Sequence, residues 1–182
     1  MAELVLVDHQ PDWSRQFAVL AGELQLAFEG ADVCIEHIGS TAVPGLCAKP
    51  VLDVLLGAGA LSEIEARVPA LARLGFIYRP EHEAALPARR YFTRNAVALP
   101  ASARVHLHAV VVNAAIWQQH MAFRNALRAS PPLRAQYAAL KRVLAAEHLH
   151  DKAAYTAAKG PFIVGVVSAA LAAGTADPRG AA

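Results

Sequence analysis

An aspartate inside an apolar run is the first residue of this chain that asks for a chemical explanation. Asp53 interrupts residues 51–56, otherwise valine and leucine, and an acid buried there needs a hydrogen bond, a cation or a pocket. Carboxylates hold divalent cations in phosphoryl and nucleotidyl transfer, so Mg²⁺ at Asp53 is one reading. A buried acid bonded to Ser40 or to loop N–H groups is the other. His106 and His108 stand two apart in a valine-rich stretch, residues 104–112, so both imidazoles face one side of a strand. Imidazoles ligate metals, move protons or bind phosphate. The pair is expected to border the Asp53 pocket, with His37 turned to the same cleft. Asp53, His106 and His108 are the candidate catalytic groups, and Asp53 and His37 the candidate metal ligands. Gly39-Ser40-Thr41 offers backbone donors and hydroxyls at a strand end, a cradle that a side chain at residue 39 would block. The alternative is a tight turn with Ser40 as a helix cap. Lys49, Arg89, Arg90 and Lys159 are candidate anion contacts, and Lys159 shares a helix face with Tyr155, four residues before it.

These residues must be held by strands and helices that the same sequence encodes. Trp13, Phe17, Leu20, Leu24 and Phe28 recur every three or four residues, which predicts an amphipathic helix opened by Pro11-Asp12 and closed by Gly30. Strands are expected at 33–38 and 51–56, joined through the Pro44-Gly45 turn, with a short edge strand at 3–7. Ser62-Glu63-Ile64-Glu65 reads as a capping box opening a helix to Leu74-Gly75. Residues 76–79 and 90–93 read as strands, joined by a polar loop at 80–88, and a turn falls at 100–103. After the strand at 104–112, Asn113, Ser130 and Asp151 are expected to cap three helices. Phe123, Leu127, Tyr137, Leu140, Tyr155 and Phe162 lie on their inner faces, and Arg124 is expected as a structural ion-pair partner.

Composition excludes several classes. At 182 residues, 55% of them hydrophobic, the chain suits one domain with a sizeable core. A net charge of +2 without a block of like charges argues against nucleic acid and for a small anionic partner. Cys34 and Cys47 lack metal-binding spacing and read as reduced thiols. The N-terminal residues do not show the basic-then-apolar pattern of a signal, and the apolar stretch at 162–173 reads as too short to span a bilayer. A cytoplasmic protein with no membrane partner is expected.

The stretch His37-Ile38-Gly39-Ser40-Thr41-Ala42-Val43-Pro44-Gly45-Leu46-Cys47-Ala48-Lys49-Pro50-Val51-Leu52-Asp53 resembles the signature of the GrpB family, a branch of the nucleotidyltransferase superfamily. The resemblance extends through Pro11-Asp12-Trp13, Arg89-Arg90-Tyr91-Phe92, Val105-His106-Leu107-His108, Phe123-Arg124, Tyr137 to Lys141 and Ala154 to Lys159. It implies an α/β (α+β) fold, a nucleotidyltransferase-like mixed β-sheet with flanking helices and a C-terminal helical part. Residues 1–112 would form the sheet core, 113–174 helices packed on it, and 175–182 a disordered tail. It also implies that Gly39, Ser40, Lys49, Arg90 and Lys159 bind a nucleotide while Asp53 takes Mg²⁺. The reaction implied is transfer of a nucleoside monophosphate to a small acceptor. The chain departs from the superfamily pattern in one respect: the second acid, two residues after Asp53, is replaced by Leu55. Asn125 likewise stands where the family's aspartate is expected. The alternative is therefore a catalytically degenerate nucleotide- or anion-binding module. If Leu55 marks a degraded acid pair, Leu55→Asp would strengthen Mg²⁺ binding. A histidine-triad-like phosphohydrolase would need a third histidine at Val110 and leaves the signature loop unexplained.

Overall fold

Alternation of apolar side chains along the strands decides this architecture. The computed structural model describes residues 4–95 and 104–174. The chain runs α1 (Asp12–Ala27), β1 (Cys34–Ile38), β2 (Val51–Ala58), α2 (Leu61–Ala66), α3 (Val68–Arg73), β3 (Ile77–Tyr78), β4 (Arg89–Arg94), β5 (Arg104–Val111), α4 (Ala115–Ala129), α5 (Pro131–Glu147), α6 (Lys152–Ala158) and α7 (Gly160–Ala172). The five strands form one mixed sheet in the order β1-β2-β5-β4-β3. The central pair β2 and β5 is parallel, and the other pairs are antiparallel. The expected mixed α/β sheet with flanking helices is what the chain forms.

Each strand sends alternate residues to opposite faces. On one face Leu52, Val54, Leu56, Phe92, Val105, Leu107 and Ala109 meet Trp13, Leu20 and Leu24 of α1, Phe28 just after it, Ile64 of α2 and Leu71 of α3. Burying each such aliphatic or aromatic side chain contributes roughly 1.5–3 kcal/mol. On the other face Ile38, Leu55 and Val110 pack under Trp117 and Met121 of α4. Gly57 makes that contact feasible, since a β-carbon there would lie 2.7 Å from Trp117 Cζ3. The signature loop packs separately: Val43, Leu46 and Cys47 meet Leu127 of α4 and Tyr137 and Ala138 of α5.

Local chemistry departs from the sequence-based expectation at several ends. The edge strand expected at 3–7 reduces to a single bridge between Val7 and Ala48. The proposed capping box lies inside α2: Ala60 is the cap, and the Glu63 carboxylate accepts from the Gly59 N–H. The single helix expected there breaks at Arg67 ahead of Pro69 and becomes α2 and α3. Asn113 turns at φ 60° instead of capping α4, whose cap is Ala114. Ser130 and Asp151 cap α5 and α6 as expected, accepting from Leu133 and from Ala153 and Ala154. Pro161 sits in the first turn of α7, so the last expected helix is two. The turn at 100–103 and the tail at 175–182 lie outside the described residues. Counting α6 with α7, the helical run Lys152–Ala172 reaches 21 residues and holds an 18-residue window of mean hydropathy 1.3, which meets the length and composition of a membrane span. The apolar stretch at 162–173, taken alone, does not reveal this. Only 11% of that window is buried; the buried residues of α7 are Val166 and Ala170, and α7 packs beside α4.

Leu55 shares the Asp53 face but is fully buried among Ile38, Val110, Trp117 and Met121. An acid there would meet no cation. Leu55→Asp is therefore expected to lower stability by roughly 3–5 kcal/mol with no gain in Mg²⁺ affinity, read by urea unfolding and metal titration of the same sample.

Candidate functional site

Strand pairing assembles the site. The β1–β2 ladder sets Ile38 opposite Asp53, and the parallel β2–β5 ladder sets Asp53 opposite His106 and Leu55 opposite His108. Both imidazoles therefore stand on the Asp53 side. Asp53 Oδ1 lies 3.4 Å from His106 Nδ1 and 3.8 Å from His108 Nε2. The Arg89 Nη1 group is 3.2 Å from His108 Nδ1. A guanidinium only donates, so Nδ1 accepts and the His108 proton sits on Nε2, facing Asp53. Tyr91 packs against both imidazoles, and Arg89 lies 4.8 Å above the Tyr91 ring. At the strand end Gly39 has φ 69°, and a β-carbon there would fall 2.3 Å from Asp53 Oδ2. Glycine is required twice over, for backbone conformation and for space.

Burial pushes the Asp53 carboxyl upward, but the two imidazoles outweigh it and hold the group well below the usual carboxylate range. His108 is lowered by burial despite Asp53. His120 of α4, whose ring is 5.4 Å from that of His108, is lowered to about 4 by burial. Lys49 is lowered by burial, and Lys159 is brought to about 8 by burial with the Lys49 charge beside it. Both ammonium groups lie over the Tyr155 ring, at 4.8 and 4.3 Å from its centre.

These side chains line a cavity of about 400 Å³ that takes in Ser40, Lys49, Asp53, Arg89, Lys141 and Lys159. Four cations thus face one carboxylate. A second cavity of about 500 Å³, walled by α4, α5 and α7, shares Ser40, Asp53, His108 and Lys159 with the first. Its other lining is mainly apolar and includes Phe123, Tyr137, Ile163, Val167 and Leu171.

Of the residues singled out in the sequence, Gly39, Ser40, Lys49, Asp53, His106, His108 and Lys159 converge here. His37 does not. It pairs opposite Val54, so its ring turns to the α1 face and stacks on Phe17 at 4.8 Å. There Thr41 donates to the Val51 carbonyl at 3.1 Å, and His37 Nε2 donates to Thr41 Oγ1 at 3.0 Å. Arg90 does not either. It sits opposite Ala109 and pairs with Glu65 at 2.7 Å and Glu83 at 3.5 Å on the far face, leaving Arg89 to serve the cavity. Ser40 caps no helix. Arg124 is the expected ion-pair partner, 2.6 Å from Glu36. Sequence reasoning missed Lys141, whose Nζ lies 3.0 Å from Ser40 Oγ and also donates to the Cys47 carbonyl. The available signal was a lysine one helical turn after Tyr137 on an otherwise apolar face. Among the described residues no group of three or more histidine, cysteine, aspartate or glutamate side chains is placed to hold a metal. One carboxylate flanked by two imidazoles does not supply the oxygen-rich set that Mg²⁺ takes.

Burial also makes two histidines pH sensors of stability. His37, 6% exposed, is lowered to about 4 by burial, as is His120. The unfolded chain binds these protons near pH 6.5, so the histidine contribution to stability is expected to fall as pH drops from about 7 to about 4 and to be complete below that, where the depressed Asp53 carboxyl takes over the loss. His37 alone contributes roughly 3 kcal/mol of that fall. Unfolding free energies measured across this range should show a shallower slope for His37→Gln than for the parent chain.

Known proteins are similar to this chain over most of its length. A UPF0157 protein of Streptomyces coelicolor is 33% identical over 171 residues, spanning 94% of this chain and 86% of its own. A dephospho-CoA kinase of Mycolicibacterium paratuberculosis is 29% identical, the alignment taking in 88% of this chain and 44% of the kinase. The crystal structure of the conserved protein GrpB from Enterococcus faecalis matches with a TM-score of 0.81 at 32% identity, covering 92% of this chain and 97% of that one. The GrpB protein family model matches residues 3–168, which takes in both strands of the Asp53–histidine cluster, the signature loop and the lysines of α5 and the α6–α7 junction; the chain belongs to the GrpB family.

Proposed function

We propose that the cationic cavity binds a nucleotide or another small phosphorylated ligand. The observation that carries this reading is unbalanced charge. Among the described residues, Lys49, Arg89, Lys141 and Lys159 have no carboxylate within ion-pair distance, although all four line one cavity. Arg89 Nε is buried without a hydrogen-bond partner, and buried donors are normally satisfied. A phosphate would supply both the missing charge and the missing acceptor. The relative named a dephospho-CoA kinase handles, by its name, a phosphorylated coenzyme, which agrees with a ligand of this class.

Once the ligand is bound, two outcomes are distinct. The resemblance to the nucleotidyltransferase superfamily favours transfer of a nucleoside monophosphate to a small acceptor. Asp53 with His106 would then take the acceptor's proton, while Lys49 and Arg89 offset charge developing on phosphorus oxygens. The buried Leu55 and the single carboxylate favour the alternative, a binding module that works without a metal pair. A cytoplasmic location, where such ligands and reduced thiols are found, belongs to the same proposal.

Isothermal titration with pyrophosphate and ATP in EDTA tests the binding. Micromolar affinity is expected, weakened at least tenfold by Arg89→Ala or by His106→Ala with His108→Ala, with unfolding midpoints little changed. Failure of both ligands to bind without metal would reject the cationic-cavity reading. Pyrophosphate release from ATP with added Mg²⁺ separates transfer from binding alone.

A further inference from the structure

Ser40 and Lys141 are 101 residues apart in sequence, and the fold brings Oγ and Nζ to 3.0 Å. Ser40 stands where the cationic and apolar cavities join, since it lines both. Lys141 is 2% exposed and has no carboxylate partner among the described residues. A buried ammonium without a counter-ion is costly, which makes Lys141 give up its proton more readily than an exposed lysine does. The Cys47 carbonyl, which can only accept, takes one of its N–H groups. As the ammonium, Nζ also donates to Ser40 Oγ; on losing that proton it keeps its bond to the carbonyl and turns its lone pair to the Ser40 hydroxyl proton.

We propose that Ser40 is a nucleophile activated by Lys141, acting on a carboxylic ester or thioester whose acyl group occupies the apolar cavity and whose phosphorylated leaving group occupies the cationic one. The assignment of the leaving group rests on the phosphate-binding reading; the nucleophile–base pair does not. Ser40 Oγ bonds to the carbonyl carbon as its proton passes to Lys141 Nζ. The carbon–oxygen or carbon–sulfur bond then breaks, and Lys141 returns the proton to the departing atom. Water attacks the seryl ester by the same route, releasing a carboxylic acid and restoring Ser40. Lys159, which lines both cavities, offsets charge on the carbonyl oxygen.

The surroundings suit a base working near neutrality. Burial brings Lys141 to about 8, opposed by Cys47 and reinforced by the positive charges of Lys159, Arg142 and Lys49. The Tyr137 ring, 5.0 Å from Nζ, favours the transient ammonium, and Asp53 lines the same cavity.

A fluorophosphonate probe, which esterifies activated serines, tests the pair. The expected result is one adduct, located at Ser40 by peptide mass spectrometry. Its rate should rise through an inflection at about pH 8 and fall at least 100-fold in Lys141→Met, whose fold is checked by circular dichroism and melting. If Lys141→Met does not fold, Lys141→Arg keeps the charge and the hydrogen bonds but cannot give up its proton, and its adduct rate should fall as far. No adduct at Ser40, or an adduct rate that neither Lys141 nor pH alters, overturns the proposal. Protection by pyrophosphate supports the leaving-group assignment; labelling that pyrophosphate neither slows nor competes with overturns that assignment and leaves the pair standing.

Discussion

The carboxylate of Asp53 occupies the space where any residue but glycine would place a β-carbon on the neighbouring strand end. The 2.3 Å that a β-carbon at residue 39 would leave to Oδ2 fixes three things together: the positive φ of Gly39, the direction in which the signature loop departs, and the position of Ser40 beside the acid. The loop then reaches α4 and α5 through Val43, Leu46 and Tyr137, and Lys141 closes it by bonding both Ser40 and the Cys47 carbonyl. The cavity lies where these constraints meet. Its walls include the sheet, the loop, α5, α6 and Lys159 at the α6–α7 junction, so the sheet core and the C-terminal helices share one site.

Much of this was legible from residue order. The 3.6-residue spacing of Trp13, Leu20, Leu24 and Phe28 placed α1. An acid within an apolar strand marked Asp53, and a two-residue spacing put His106 and His108 on one face. What failed did so for a shared reason. Which of two adjacent residues faces a given side is set by ladder register, and register needs the partner strand. His37 and Arg90 are each one position from a residue on the site face, Ile38 and Arg89, and each turns to the opposite face. A histidine against Phe17 and an arginine with two glutamates satisfy their chemistry there as well as any ligand would. Lys141 was hidden differently. Helical periodicity marks its face as apolar, and no local pattern announces that a serine 101 residues upstream will stand opposite it.

Electrostatics sets the character of the cavity more than any one residue. The imidazoles keep Asp53 ionised, and burial draws the lysines toward neutrality. An arriving dianion would reverse the second effect, restoring full charge to the amines around it. For the phosphorylated ligand proposed above, affinity and protonation would therefore change together.

The parallel pairing of β2 with β5 has a kinetic meaning as well as a geometric one. Asp53 meets His106 only after the chain has travelled through α2, α3, β3 and β4 and returned. A parallel ladder with so long an intervening segment is costly in chain entropy and tends to form late. The α1–β1 region and the β1–β2 hairpin can assemble early from near neighbours, but the acid–imidazole cluster waits for the central crossover to close. The ligand-binding function proposed for this site would thus depend on the last long-range pairing of the sheet, since the Asp53–His106 contact has no local substitute.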